Sequence, residues 1–162
     1  CTMCLPYIDV LFGIEPYHLW KDEQDHQTGD VKDGVPFQPD FKQQDEVFHG
    51  FVKRYPNIKC IARHVRYAHS CSENSLMAYL WYDGKTYESQ KLRFHILDRV
   101  GGGDAFVSGI IYALMNEYKP QDIADFGVAA SAVKHTIHGD GNITDDVSLI
   151  EHIMQMNFDI KR

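Results

Sequence analysis

Residues Asp98 to Phe106 read Asp-Arg-Val-Gly-Gly-Gly-Asp-Ala-Phe, an order with the means to bind an anion. The consecutive glycines Gly101, Gly102 and Gly103 let a backbone approach a ligand closely and adopt dihedrals closed to other residues. At the start of a helix, unpaired N–H groups and the positive end of the dipole make such a backbone an anion site. That suits a phosphoryl group in transfer, where negative charge must be held while bonds exchange. Asp104 stands at the mouth, where a carboxylate could take the proton of an attacking hydroxyl as general base. Spacing alone leaves a second reading open, in which the glycines make a tight turn and Asp104 caps the helix. The run is not a Walker loop, because no Gly-Lys-Ser/Thr follows, nor a dinucleotide fingerprint, because the third spaced glycine is missing.

The surrounding elements must carry this segment. Leu92 to Leu97 reads as a strand leading into it, and Asp104 to Tyr118 as a helix leading out, with Phe106, Ile110, Ile111 and Leu114 on one face. Gln121 to Ile137 reads as a second helix whose small residues Gly127, Ala129, Ala130, Ser131 and Ala132 allow close packing. Thr144-Asp145-Asp146-Val147 has the look of an N-cap and acidic first turn of a third helix, running to about Met156. Upstream, Leu5 to Phe12 suits a strand buried on both faces of a parallel sheet, and a chain opening on such a strand is expected to lack sheet neighbours. Trp20 to Asp40 reads as a surface loop. Asp45 to Tyr55 is helical in spacing and is stopped by Pro56, and Ile58 to His64 follows as a strand. Ser75 to Tyr82 and Thr86 to Ser89 flank Asp83-Gly84, a strong two-residue hairpin signal. The alternation of helix and strand predicts an α/β fold with a mostly parallel sheet flanked by helices, in one domain over residues 1–162.

The composition narrows the function. The chain has 162 residues, 44% hydrophobic and 24% charged, as a globular domain with a core of its own requires. A formal charge of −7 argues against a general nucleic-acid partner, which needs a basic surplus. No apolar run of membrane-spanning length and no leader pattern are seen, so a cytoplasmic location without a membrane partner is expected. Cys1 and Cys4 form a lone C-x-x-C, with Cys60 and Cys71 far away, and reduced thiols are the preferred reading. His135 and His138 lack a third ligand at metal-binding spacing, so no metal site is assigned to side chains.

The segment Asp98 to Phe106 resembles the second signature of the ribokinase-like, or phosphofructokinase-B, carbohydrate kinases. The usual pattern there is Asp-Thr-x-Gly-Ala-Gly-Asp-x-Phe, and this chain has Arg99 for the threonine and Gly102 for the alanine. The stretch Ala129 to Asn142 is similar to the nucleotide-site helix and loop of that family's 2-keto-3-deoxygluconate kinase branch. Asp9 to Glu15 resembles the family's strand that ends in an acidic residue near the metal and phosphates.

The resemblance implies a ribokinase-like fold of which this chain is the C-terminal half, with the N-terminal half and lid absent. It implies an ATP-dependent kinase that transfers a γ-phosphoryl group to a hydroxyl of a keto sugar acid, with Mg2+ held mainly by phosphates and water. Gly101, Gly102 and Gly103 would form the anion hole, Asp104 would be the catalytic base and also touch the substrate, and Asp98 would lie by the substrate. Ala129, Gly139 and Asn142 fall on the nucleotide side, Asn142 either edging the adenine pocket or serving a turn. Where the family commonly places a glycine-rich phosphate contact after a strand, this chain has Ala62 to Tyr67. There Arg66 or Arg63 could meet phosphate, or stand solvated at the strand end. The resemblance also leaves self-association open.

Overall fold

Long β-rich segments joined by two- to four-residue turns can only pair antiparallel, and this constraint shapes the sheet. The computed structural model describes residues 2–14, 40–141 and 146–155. In these residues β1 (Val10–Phe12), α1 (Phe41–Arg54), β2 (Cys60–Ala68), β3 (Glu73–Tyr82), β4 (Lys85–Glu88) and β5 (Leu92–His95) precede α2 (Gly102–Met115), α3 (Pro120–Lys134) and α4 (Val147–Gln155). The sheet is mixed, not mostly parallel as expected. Strand β1 pairs parallel with β2, whereas β2–β3, β3–β4 and β3–β5 are antiparallel. The Asp83-Gly84 hairpin is as predicted, with Tyr82 opposite Lys85 and both turn residues at positive φ, +51° and +78°.

One long strand organises the sheet. Along one edge β3 pairs with β2 from Asn74 to Tyr82, and its other edge is shared between β4 and β5. Ser89 bridges the gap between those two. Its N–H donates to the Ala78 carbonyl at 2.9 Å, and its Oγ accepts from the Ala78 N–H at 2.8 Å. Alternate side chains then serve two cores. Leu76, Ala78 and Leu80 face α2 and α3, while Met77, Tyr79 and Trp81 face the cluster built on Val47, Phe48 and Phe51 of α1. Burial on both faces is why Ser75 to Tyr82 reads as an almost unbroken apolar run. The thiol of Cys60 lies in the first core, and burial pushes it up to about 12.

The opening segment differs from expectation. Residues Thr2–Tyr7 form a 3₁₀ helix, and only Val10–Phe12 is strand. The Asn57 amide donates to the carbonyls of Leu5 and Ile8 at 2.8 and 2.7 Å, which ties those groups off from a ladder. Helix α1 begins earlier than predicted, because Asp40 and Gln43 close a reciprocal capping box. Most of the predicted loop Trp20 to Asp40 and the predicted cap at Thr144-Asp145 lie outside the described residues. Asp146 stands before α4 and accepts from the Leu149 N–H at 3.2 Å.

Helices α2 and α3 pack closely on the sheet because small residues meet at their crossing. A methyl group at Gly109 would lie 2.9 Å from Ala130 Cβ and 3.1 Å from the Gly127 Cα, neither of which can move aside. A branched side chain there must push the helices apart. We expect Gly109→Val to lower unfolding free energy by about 1–3 kcal/mol or more, measured by urea titration.

Candidate active site

The glycine segment forms where four pieces of chain meet. From β5 the chain passes over the end of α3, where the N–H groups of Leu97 and Asp98 both donate to the His135 carbonyl, at 2.9 and 3.2 Å. It then turns through Gly101, whose φ of +76° is a left-handed conformation costly for any side chain, and enters α2. Gly101 is the N-cap residue, and α2 has no side-chain cap. The alternative in which Asp104 caps the helix is therefore not the arrangement found. The first bond of the helix runs from the Ala105 N–H to the Gly101 carbonyl at 2.9 Å. The amides of Gly102, Gly103 and Asp104 precede it and point out of the helix end, joined by the helix dipole. Asp104 is exposed on this first turn.

The expected site residues fall into three groups. Gly101, Gly102, Gly103 and Asp104 are together at the mouth. Asp98 and Gly139 are joined to each other beside it. One Asp98 oxygen accepts from the Gly139 N–H at 2.8 Å and the other from the Val100 N–H at 3.1 Å. These backbone donors, Gly139 first, hold its carboxyl below the usual range, with Lys134 adding a smaller pull. Asp98 thus clamps the glycine turn to the loop after α3. Arg66 sits on the β2 face shared with Cys60 and Ala62, which pack under α2, and it acts electrostatically on both His64 and His135. Arg63 is on the opposite face, buried and donating to Gln44 of α1 at 2.8 Å.

Ala129 does not belong with them. It is 0% exposed within the core between sheet and helices, where its methyl group fills space against apolar neighbours and offers a nucleotide no surface. Asn142 lies outside the described residues.

Three residues absent from the expected set do much to shape the site. Ser131 Oγ donates to the Gly102 carbonyl at 2.8 Å. Lys134, 1% exposed, donates from Nζ to the Gly139 carbonyl at 2.7 Å. The His135 ring lies against Gly102, and its Nδ1 is 2.7 Å from the Ser131 carbonyl, which can only accept and so fixes the proton on Nδ1. The signal was in the sequence, since polar Ser131, Lys134 and His135 at i, i+3 and i+4 follow the apolar and small run Phe126 to Ala130.

Comparison with known proteins finds similarity to one family. The model of the pfkB family carbohydrate kinase matches residues 77–146, from β3 through the glycine segment to the loop after α3. Over 94% of this chain, the 2-dehydro-3-deoxygluconokinase of Thermotoga maritima superposes with a TM-score of 0.76 at 26% identity. Over residues 77–146 the chain resembles the pfkB family carbohydrate kinases. Its fold is ribokinase-like. A putative 2-keto-3-deoxygluconate kinase of Enterococcus faecalis superposes on 98% of the chain, with a TM-score of 0.72 and 27% identity. By sequence, the 5-dehydro-2-deoxygluconokinase of Clostridium botulinum is 31% identical over 71 residues, 44% of this chain and 20% of that enzyme. That of Clostridium tetani is 32% identical over 78 residues, 48% of this chain and 22% of the enzyme. The chain spans 43% of the Thermotoga structure and 44% of the Enterococcus one. Among the described residues no helix is long and apolar enough to cross a membrane.

The two imidazoles at this site make stability depend on pH. Burial, followed by neighbouring positive charge, holds His64 below its ordinary 6.5, and burial with Arg66, Lys134 and Arg99 does the same to His135. The unfolded chain therefore binds protons that the folded chain refuses. Their contribution is full above 6.5 and is lost as pH falls through the lowered values. Melting temperature should be level above neutrality and fall on acidification, and a His64→Gln/His135→Asn double variant should flatten that fall.

Proposed function

We propose that this chain supplies the nucleotide side and the catalytic base of an ATP-dependent kinase acting on a keto sugar acid of the 2-keto-3-deoxygluconate class. The observation that carries this is the uncapped N-terminus of α2, opened by left-handed Gly101 and bearing an exposed Asp104 on its first turn. The γ-phosphoryl oxygens would lie against the amides of Gly102, Gly103 and Asp104, where donors already in place stabilise charge as it shifts between oxygens. Asp104 would accept the proton of the attacking hydroxyl, with a carboxylate oxygen within hydrogen-bond reach of it. Arg66 would offer charge to the phosphate chain from the β2 side, and the loop at Gly139 would border the nucleotide. Asp98, engaged by two backbone amides, would hold the wall of the sugar side.

Magnesium would enter this arrangement as a guest of the phosphates. Such an ion would be ligated by phosphate oxygens and water, which asks for no dedicated cage of side chains. When bound, it would neutralise phosphate charge. The substrate class is supported by the names of the relatives, which are kinases of dehydro-deoxygluconates matched over less than half of their length.

The proposal is tested by following ADP release with Mg-ATP and either 2-keto-3-deoxygluconate or its 5-keto-2-deoxy isomer. Asp104→Asn should cut turnover by about 10²-fold or more while ATP affinity stays within a few-fold of the parent. Unchanged turnover in that variant would remove Asp104 from the chemistry. A nucleotide-dependent rise in melting temperature with no turnover on either sugar would identify a binding protein instead.

A further inference from the structure

The signature's departure from its usual form has a physical partner in the structure. Where the common pattern has alanine, this chain has Gly102. A methyl group on Gly102 would lie 2.3 Å from Cε1 of His135, 2.9 Å from Nε2 and 3.0 Å from Nδ1. Real carbon atoms do not approach so closely. The imidazole therefore occupies the volume that an alanine side chain needs, and it cannot easily turn aside. Its Nδ1–H is tied to the Ser131 carbonyl, its ring packs against Phe94 at 5.3 Å between centroids, and its backbone carbonyl holds Leu97 and Asp98.

Ser131 adds a second constraint. Its hydroxyl holds the Gly102 carbonyl at 2.8 Å, and that carbonyl shares a planar trans peptide with the Gly103 N–H. In such a unit the C=O and N–H point in opposite directions. Fixing the carbonyl towards α3 therefore aims the Gly103 amide at the mouth. Two glycines in succession would otherwise leave this peptide with unusual freedom.

We propose that Ser131 and His135 are positioning residues for the anion site of the phosphoryl-transfer reading above, on which this inference rests. His135 replaces by its ring the side chain missing at 102, and Ser131 orients the Gly102–Gly103 peptide. Neither touches the phosphoryl group. With Nδ1–H given to a carbonyl, the buried imidazole acts by shape and not by charge.

The test is a cycle on this chain with Gly102→Ala, His135→Ala, their combination, and Ser131→Ala. Melting temperature and ATP affinity by calorimetry are both read. Gly102→Ala alone should melt well below the parent and bind ATP about tenfold more weakly, and the double variant should recover most of both losses, since neighbours in contact couple. His135→Ala and Ser131→Ala should remain folded at 20 °C yet lose about three- to tenfold in ATP affinity, a loss that a purely structural role would not produce in the folded protein. Additive effects of Gly102→Ala and His135→Ala on melting would overturn the pairing. Unaltered ATP affinity in folded His135→Ala and Ser131→Ala would overturn the positioning role. If the parent binds no ATP, the phosphoryl-transfer reading fails and the positioning role fails with it, while the melting cycle still decides the steric pairing.

Discussion

The contact between the His135 ring and Cα of Gly102 is the point on which the site turns. A run of glycines has no side chain of its own to hold it, so its shape has to be imposed from outside. Here the last turn of α3 imposes it. Ser131, Lys134 and His135 reach the glycine turn, the strand before it and the loop after α3, and Asp98 joins two of these pieces from the other side. The rest of the structure serves that contact. Helix α3 can stand close enough only because small residues line its crossing with α2, and α2 is held in place by Phe106 and Ile110 on the sheet.

Electrostatics and sterics divide the work between two faces of the same segment. Towards the interior, the glycine turn meets a neutral ring, a hydroxyl and an ammonium whose proton goes to a loop carbonyl. Towards the mouth it offers amides and the carboxylate of Asp104, with Arg66 on the neighbouring strand. A chain of net charge −7 thus gathers amide donors at one helix end. Lys134 is well placed for this, since a cation at the C-terminus of α3 is stabilised by that helix's dipole and lies beside the N-terminus of α2.

Much of this was legible in the sequence. The helices, the Asp83-Gly84 hairpin and the glycine–aspartate mouth follow from local patterns, because periodicity and turn chemistry are written within a few residues. The sheet direction was not, since buried parallel strands and antiparallel strands covered on both faces give the same apolar run; only the short turns at 69–72 and 83–84 distinguish them. The 3₁₀ turn at Thr2–Tyr7 depends on Asn57, far along the chain. The resemblance groups Ala129 with the nucleotide along with its whole helix, whereas α3 is buried over most of its length and only its final turn reaches the glycine segment. Ser131 and His135 escaped because their roles exist only relative to Gly102, some thirty residues away.

The order of elements carries a consequence for how the domain is assembled. The side-chain hydrogen bonds that shape the mouth join residues 29 and 41 positions apart, and the strands from β2 to β5 follow one another as hairpins and short links. Little loop-closure entropy has to be spent before the last turn of α3 meets the glycines. The glycine mouth is therefore a product of nearest-neighbour assembly, built by the stretch from β2 to the loop after α3 as it condenses. The parallel strand β1, brought in from the far side of α1, is an addition to a mouth whose geometry is set without it.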